Sequence, residues 1–322
     1  MSRTPQRSSS MMSNRQGLAD SRPVLHLSGT KLRIALERLI HAAEPLGGIE
    51  RFAEAVRLKS VVFQDRLADG KAAAITRGTF EEIVPLMATV RRRIGPLLEV
   101  EAWPDAQRAI AALIDGAHDT TIADARIAAF ESALRPSLTA PLAGEPKGRT
   151  ADGDQQDRSS RSGARPRDRF LRDLAAELLH NTLPENYPLM QRWVWDGRAN
   201  TGALRQLWHD PNGGGDDVDH VVIDVADGYE THLVLREELS QFLADNGVFR
   251  DMLWHVDLVC AQVYGDYISA QGGAYLKADF VSEGDPLEHT RRILGLDRVA
   301  GKRRLPTIEG ATDVPPPIRY LT

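Results

Sequence analysis

Residues that could take part in catalysis are concentrated in one stretch, LHNTLPENYPLMQRWVWD. His180, Glu185 and Asp196 supply the imidazole and carboxyl groups that general acid–base catalysis uses. The same stretch contains Trp193 and Trp195, and aromatic side chains of this size commonly build cores or binding hot spots. The stretch therefore has three interpretations, which are a structural core, a partner-binding surface and an active site.

The partner-surface interpretation rests on large aromatic side chains, because these dominate the binding energy of protein interfaces. It predicts that the C-terminal half mediates interaction with another protein or self-association. The candidate partner-binding residues are Tyr187, Trp193, Trp195 and Trp208.

Two other polar segments could support an enzyme. The glycine-rich loop HDPNGGGDDVDH offers oxygen ligands that hard cations prefer, but its spacing is not that of an EF-hand, and no metal site is predicted. Asp224, Glu230 and His232 would converge if their segment formed a β-hairpin. A nuclease of the PD-(D/E)xK type, however, needs lysine where His232 stands. A metal-dependent hydrolase or nuclease with its site in the C-terminal half remains the alternative to a non-enzymatic protein.

Absent motifs, the single cysteine and the length of the apolar runs exclude several classes of protein. The common phosphate-loop, dinucleotide, zincin and hydrolase motifs do not occur, so no cofactor is predicted. Cys260 is the only cysteine, and its apolar neighbours in DLVCAQV predict an inert buried thiol. The apolar runs are too short for a transmembrane helix, and the N-terminus has no secretory apolar region. These features predict a cytoplasmic protein of a bacterial-type cell that does not enter a membrane.

A candidate DNA-binding element lies in the N-terminal half. IERFAEAVRLKSVVFQDRLADGK has the proportions of two helices joined by a turn at Arg57. With LRIALERLIHAA before it and ITRGTFEEIVPLM after it, the region resembles the Cro/lambda-repressor-like helix-turn-helix family over residues 32–90. That family places its second helix in the major groove, so the resemblance implies duplex DNA as a partner. The DNA-contacting residues that it implies are Lys59, Ser60, Gln64, Arg66 and Lys71.

Charge is distributed unevenly along the chain, whose net charge is -5. Residues 1–33 carry six basic side chains against Asp20 alone. A basic arm of this kind could follow a phosphate backbone. Three consecutive arginines, Arg91 to Arg93, point in three directions if helical, so they are interpreted mainly as a solvated run.

The pattern of apolar residues predicts a mainly α protein with two domains. Residues 30–135 repeat apolar side chains at helical spacing and predict an all-α domain. Residues 136–167 are rich in Pro, Gly, Ser and Arg and predict a disordered linker. Residues 1–29 are predicted to be a disordered basic arm, and residues 306–322 an extended proline-rich tail.

The second predicted domain, residues 168–305, is Trp-rich and α+β. Its small β element is a hairpin in HVVIDVADGYETHLVL, where two β-branched runs flank Asp227-Gly228. PLMQRWVWD, after Tyr187, is predicted to begin a short helix. The sequence thus favours a non-enzymatic regulator or accessory subunit that binds DNA through its first domain and a protein through its second. A structural component of a multiprotein assembly is the remaining alternative.

Overall fold

The computed structural model describes residues 22–139, 168–271 and 287–298. Within these ranges the chain folds into ten α-helices: α1 (Gly29–Ala43), α2 (Ile49–Leu67), α3 (Arg77–Ile83), α4 (Trp103–Ile114), α5 (Ala123–Thr139), α6 (Phe170–Thr182), α7 (Ala203–Leu207), α8 (Tyr229–Asp245), α9 (Met252–Gln271) and α10 (Glu288–Ile293). Short 3-10 helices join them at Glu44–Leu46, Lys71–Ala74, Val84–Leu86, Gly95–Leu98, Thr120–Ile122 and Leu296–Arg298.

The prediction of a mainly α fold is confirmed. Where the chain is described, β structure is limited to isolated bridges such as that between Leu27 and Trp208. The predicted basic arm up to residue 21, most of the predicted linker and the predicted tail lie outside the described residues.

Local sequence explains where several helices begin. The Ser28 side chain accepts a hydrogen bond from the backbone N–H of Lys31 and caps α1. Thr76 caps α3 in the same way through the N–H of Thr79. Helix α1 then buries Leu32, Leu36 and Leu39 on one face, as its apolar spacing predicts.

Two apolar clusters form the core, and α2 contributes to both of them. The first contains Phe52 together with side chains of α1, α7, α8 and α9. The second contains Phe63 together with side chains of α3, α4, α5 and α6. Because a helix of nineteen residues crosses from one cluster to the other, it fixes the position of each relative to the other.

Both clusters take side chains from both sides of the predicted linker. In the first, Leu36 of α1 joins Leu258 of α9. In the second, Phe63 of α2 joins Leu174 of α6. The core of the described residues is therefore not divided at residues 136–167, where the sequence predicts a linker between two domains.

The prediction of a C-terminal α+β domain with a β-hairpin is wrong. Asp227-Gly228 does not turn between strands, because Gly228 has a φ of -84° and precedes α8. A type I′ hairpin turn would need positive φ at both of its central residues. The run that was expected to form the second strand, YETHLVL, is the beginning of α8 instead.

The β-branched run before Gly228, residues 221–225, is extended but does not pair with a second strand. Side chains form hydrogen bonds with its backbone groups instead. Asn200 receives a hydrogen bond from Ile223 N at 3.2 Å and donates one to Val221 O at 2.9 Å. Trp195 Nε1 donates to Val225 O at 3.1 Å. Side chains therefore replace the partner strand.

The expected helix in PLMQRWVWD is also absent, since these residues adopt an extended and turn conformation. The backbone N–H of Arg192 donates a hydrogen bond to Asp173 Oδ1 at 3.1 Å. The guanidinium group of Arg192 donates to the same carboxylate. Ala203 N donates to Trp193 O at 2.9 Å. Long-range partners have overridden the local preference of this segment for helix.

Asp124 connects α5 to the start of α8, because its carboxylate oxygens accept from Tyr229 N at 3.0 and 3.1 Å. We expect Asp124→Ala to lower the free energy of unfolding by about 1 kcal/mol, the usual cost of removing a helix N-terminal cap. Urea denaturation of the full chain measures this change. Asp105→Ala is the matched control, since Asp105 lies in the first turn of α4 and pairs only locally with Arg108. Equal stability of the two variants would contradict the prediction.

Candidate functional site

A buried ion pair lies where α2, α6 and the segment 287–298 meet. Lys59 Nζ donates to Glu177 Oε1 and, at 3.0 Å, to the backbone carbonyl of Leu294. The side chains of Lys59 and Glu177 are only 7% and 3% exposed. Desolvating two charges is costly, so such a pair persists only where further hydrogen bonds satisfy both partners.

Neutral polar side chains complete the bonding of this pair. Gln191 Nε2 donates to the second carboxylate oxygen of Glu177, and Trp193 Nε1 donates to Gln191 Oε1. Asn181 Nδ2 donates to the backbone carbonyl of Glu177 at 2.8 Å. Both carboxylate oxygens are thus occupied by protein donors, which is the arrangement of a group that holds structure together.

A second charged pair, His180 and Asp257, adjoins the first. His180 Nδ1 faces Tyr187 O at 2.9 Å, and Nε2 faces Asp257 Oδ2 at 2.9 Å. A carbonyl can only accept, so Nδ1 carries a proton, and a second proton is shared between Nε2 and the carboxylate. Burial lowers the pKa of His180, but the charge and hydrogen bond of Asp257 and the bond to Tyr187 outweigh it, so the pKa is raised.

The predicted DNA-contacting residues do not share one open surface. Helix α2 continues through Arg57, where the helix-turn-helix resemblance places a turn. Lys59 and Ser60 are buried, and Ser60 Oγ donates to Asn181 O at 2.7 Å. Gln64 is partly buried and donates to Ser60 Oγ at 3.1 Å.

The two remaining predicted DNA contacts have acidic neighbours. Arg66 lies 2.8 Å from a carboxylate oxygen of Asp65 and 3.5 Å from one of Glu82. Lys71 lies 3.9 Å from Asp65. Phosphate contact by either residue would therefore compete with an ion pair that is already present.

The predicted partner-binding aromatics all lie in the interior. Tyr187 is fully buried and donates from its hydroxyl to Ala117 O at 2.8 Å. Trp193 and Trp195 are 7% and 1% exposed, and Trp208 is 6% exposed. These four side chains hold neighbouring segments together, which is the core interpretation of the stretch.

The residues considered for metal or nuclease chemistry are dispersed. Glu230 is exposed and pairs with Arg22, whereas His232 is 2% exposed inside the fold. In the glycine-rich loop, His209 Nδ1 contacts Asp216 Oδ1 at 3.1 Å, and Asp210 accepts backbone N–H groups of its own loop. In the parts of the chain that the structure covers, no three His, Cys, Asp or Glu side chains are arranged to hold a metal ion.

Asp297 links two parts of the chain that are rich in arginine, residues 91–93 and 291–292. Arg91 makes a bidentate ion pair with this carboxylate, at 2.8 and 2.6 Å. Arg92 and Arg93 follow in an exposed turn, and Arg291 and Arg292 occupy the last turn of α10. Burial lowers the pKa of Arg291 and the charge of Asp297 opposes the change, which places Arg291 near Asp297 as well. We call Arg91, Arg92, Arg93, Arg291 and Arg292 the arginine cluster.

Three of the five members of the arginine cluster, Arg91 to Arg93, stand out in the sequence as a basic run. The other two members, Arg291 and Arg292, lie about 200 positions later, in a short helix whose sequence shows only ordinary capping signals. The signal that was available is the continuation of the sequence after Asp297, which adds Arg298, Lys302, Arg303 and Arg304. Basic residues at this density are a usual mark of a polyanion-binding segment.

Comparison of the chain with protein-family models, with curated proteins and with solved structures found no match. No helix in the described ranges is long and apolar enough to cross a membrane.

Because Lys59 neutralises Glu177 in the interior, Lys59→Met should leave a buried charge without its partner. We expect the free energy of unfolding to fall by about 3–5 kcal/mol. Adding Glu177→Gln to Lys59→Met removes that charge, so the double variant should be more stable than the single one. Denaturant unfolding of both variants measures the difference.

The control for the Lys59 variants is Arg57→Met, two positions earlier on α2, where Arg57 pairs with Glu54 near the surface. A surface pair contributes at most about 1 kcal/mol, so this variant should be close to the parent protein. A Lys59→Met protein as stable as Arg57→Met would show that the buried pair contributes little.

His232 predicts a pH dependence of stability. Its Nδ1–H donates to Gly228 O at 2.8 Å, and burial lowers its pKa from 6.5 to about 4. A base with a lowered folded-state pKa contributes stability that is fully present above the unfolded pKa and lost as the pH falls towards the folded pKa. Between about pH 7 and pH 4 the parent protein should therefore lose about 3 kcal/mol more than His232→Gln.

Urea unfolding of the two proteins across that pH range tests the His232 prediction. The contribution of His180 has the opposite sign, because its raised pKa gives stability that is lost as the pH rises. His180 is present in both proteins, so its effect cancels in the comparison. Parallel stability curves for the parent and His232→Gln would contradict the assignment.

Proposed function

We propose that the protein is a non-enzymatic regulator or accessory subunit that binds duplex DNA through the arginine cluster. The observation that carries the proposal is the bidentate ion pair between Arg91 and Asp297, which brings residues 91–93 next to the segment that also holds Arg291 and Arg292. Guanidinium groups bind phosphate oxygens with bidentate geometry, which makes arginine suited to a phosphate backbone.

Two members of the arginine cluster, Arg92 and Arg93, are exposed and can reach a phosphate. Arg92 and Arg93 form no ion pair with any residue within the described ranges. Arg91 is fixed by Asp297 and by Pro85 O, at 3.1 Å from one guanidinium nitrogen. Because Asp297 already neutralises Arg91, Arg91 positions the turn, and the exposed side chains of Arg92 and Arg93 are the groups that contact phosphate in this proposal.

The positive potential that attracts DNA must be local, because the whole chain carries 45 acidic and 40 basic side chains. DNA affinity depends on the phosphates that are neutralised at the contact surface and on the counterions that leave. The basic residues that follow Asp297 in the sequence, and Arg3, Arg7 and Arg15 of the predicted basic arm, are further sources of charge for the same partner.

Duplex DNA is the partner that the sequence also suggests, but the proposed contact surface is the arginine cluster and not helix α2. Lys59 and Ser60 are used inside the fold, so the second half of α2 does not offer the base contacts of a helix-turn-helix protein. Phosphate contacts position a protein on a duplex without selecting a sequence. We therefore propose binding with weak sequence preference, and any association with a protein partner would use residues other than the four buried aromatics.

We expect the full chain to bind a mixed-sequence duplex with an affinity that falls steeply as salt rises. Replacing two phosphate-contacting arginines, Arg92→Ala with Arg93→Ala, should reduce the slope of log K against log salt by about 2 units, since each contact contributes about 0.9. Fluorescence anisotropy of a labelled duplex over a salt series measures both slopes.

The matched control is Arg108→Ala with Arg250→Ala, which removes the same charge from two exposed positions outside the cluster. This control separates a local contact from a change in net charge. If the two double variants show the same salt slope, or if the parent protein does not bind the duplex at low salt, the proposal fails.

A further inference from the structure

The carboxylate of Asp297 occupies an edge of Arg91 that a phosphate could also take. Its two oxygens accept from Nη1 and Nη2 of Arg91, at 2.8 and 2.6 Å. A bidentate contact of this kind is also how a guanidinium group binds phosphate oxygens. The carboxylate and a phosphate therefore compete for the same edge, and for the same positive charge.

The ion pair lies at the edge of the surface. The side chain of Arg91 is 10% exposed and that of Asp297 is 26% exposed, so the acid is the more open member. Arg92 and Arg93 follow directly in the chain and are exposed. A phosphate that contacts either of them would have a third guanidinium group nearby, but one whose charge is already balanced.

Arg91 has anchors that do not depend on Asp297. Its Nη1 also donates to Pro85 O at 3.1 Å, and its backbone N–H donates to Met87 O at 2.9 Å. Both acceptors are uncharged carbonyl groups, so they position Arg91 without neutralising it. Removal of the carboxylate should therefore leave Arg91 near its present position with its charge available.

The segment that carries this carboxylate is likewise anchored by other contacts. The Leu294 carbonyl accepts from Lys59 at 3.0 Å, and Thr290 Oγ1 donates to Gln262 Oε1 at 2.8 Å. Both of these hydrogen bonds are buried. Loss of the carboxylate should therefore change the charge at the arginine cluster without releasing the segment.

We propose that Asp297 is an intramolecular competitor that withholds Arg91 from DNA phosphate, and that loss of its charge adds one phosphate contact to the arginine cluster. This inference rests on the proposed binding of duplex DNA by that cluster. A carboxylate on the same chain acts at a high effective concentration, so a phosphate must displace a pairing that is already formed. The parent protein therefore binds through Arg92 and Arg93, and Asp297 limits its affinity.

Asp297→Ala in the full chain tests the inference, with a labelled mixed-sequence duplex and a salt series followed by fluorescence anisotropy. One released contact contributes about 0.9 to the slope of log K against log salt, so the slope should be steeper than the parent's by about that amount. Binding at low salt should be tighter. Over a fourfold rise in salt, the variant should lose about three to four times more affinity than the parent loses. Adding Arg91→Ala to Asp297→Ala should remove the gain.

The matched control is Asp105→Ala, which removes the same charge and also frees an arginine, Arg108, outside the cluster. It should keep the parental slope. A parental slope in Asp297→Ala, an equal increase in Asp105→Ala, or a gain that persists in the double variant would each overturn the inference alone. Failure of the parent protein to bind the duplex at low salt would instead refute the proposed function, and the inference with it.

NMR of the arginine side-chain N–H groups in the parent protein gives a test that does not depend on any variant folding. At saturating duplex, the Nε–H signals of Arg92 and Arg93 should shift, and that of Arg91 should stay in place because Asp297 still holds it. A shift of the Arg91 signal as large as the other two would mean that the carboxylate withholds nothing, and the inference would be wrong.

Discussion

The ion pair between Lys59 and Glu177 is the constraint on which the arrangement of the interior depends. Two desolvated charges are tolerated only with a full set of hydrogen bonds, and here the bonds come from distant parts of the chain. The Leu294 carbonyl lies 235 positions after Lys59, and Gln191 lies 14 positions after Glu177. Helices α2 and α6 and both of these segments must therefore be in place together.

This constraint also explains what could be predicted from the sequence. The helices between residues 30 and 135 follow from apolar spacing and capping side chains, which are local properties. The face of α2 that carries Lys59 and Ser60 could not be assigned in that way. Polar side chains at helical spacing predict a solvated face, and only the distant partner Glu177 makes a buried position favourable.

The errors in the C-terminal half have the same origin. Asp227-Gly228 between β-branched runs is a strong local signal for a hairpin, yet Asp124 caps a helix there and Asn200 bonds the preceding run. PLMQRWVWD has a local preference for helix that the contacts of Asp173 and Glu177 override. In each case the deciding partner lies between 14 and 105 positions away along the chain, and a single sequence carries no record of that pairing.

The interior and the arginine cluster are coupled through residues 287–298. The Leu294 carbonyl accepts from Lys59 inside the fold, while Asp297, three residues later, pairs with Arg91. The same short segment thus completes the bonding of a buried charge and supplies positive charge outside. Displacing residues 287–298 from the buried pair would therefore also move the carboxylate that holds Arg91.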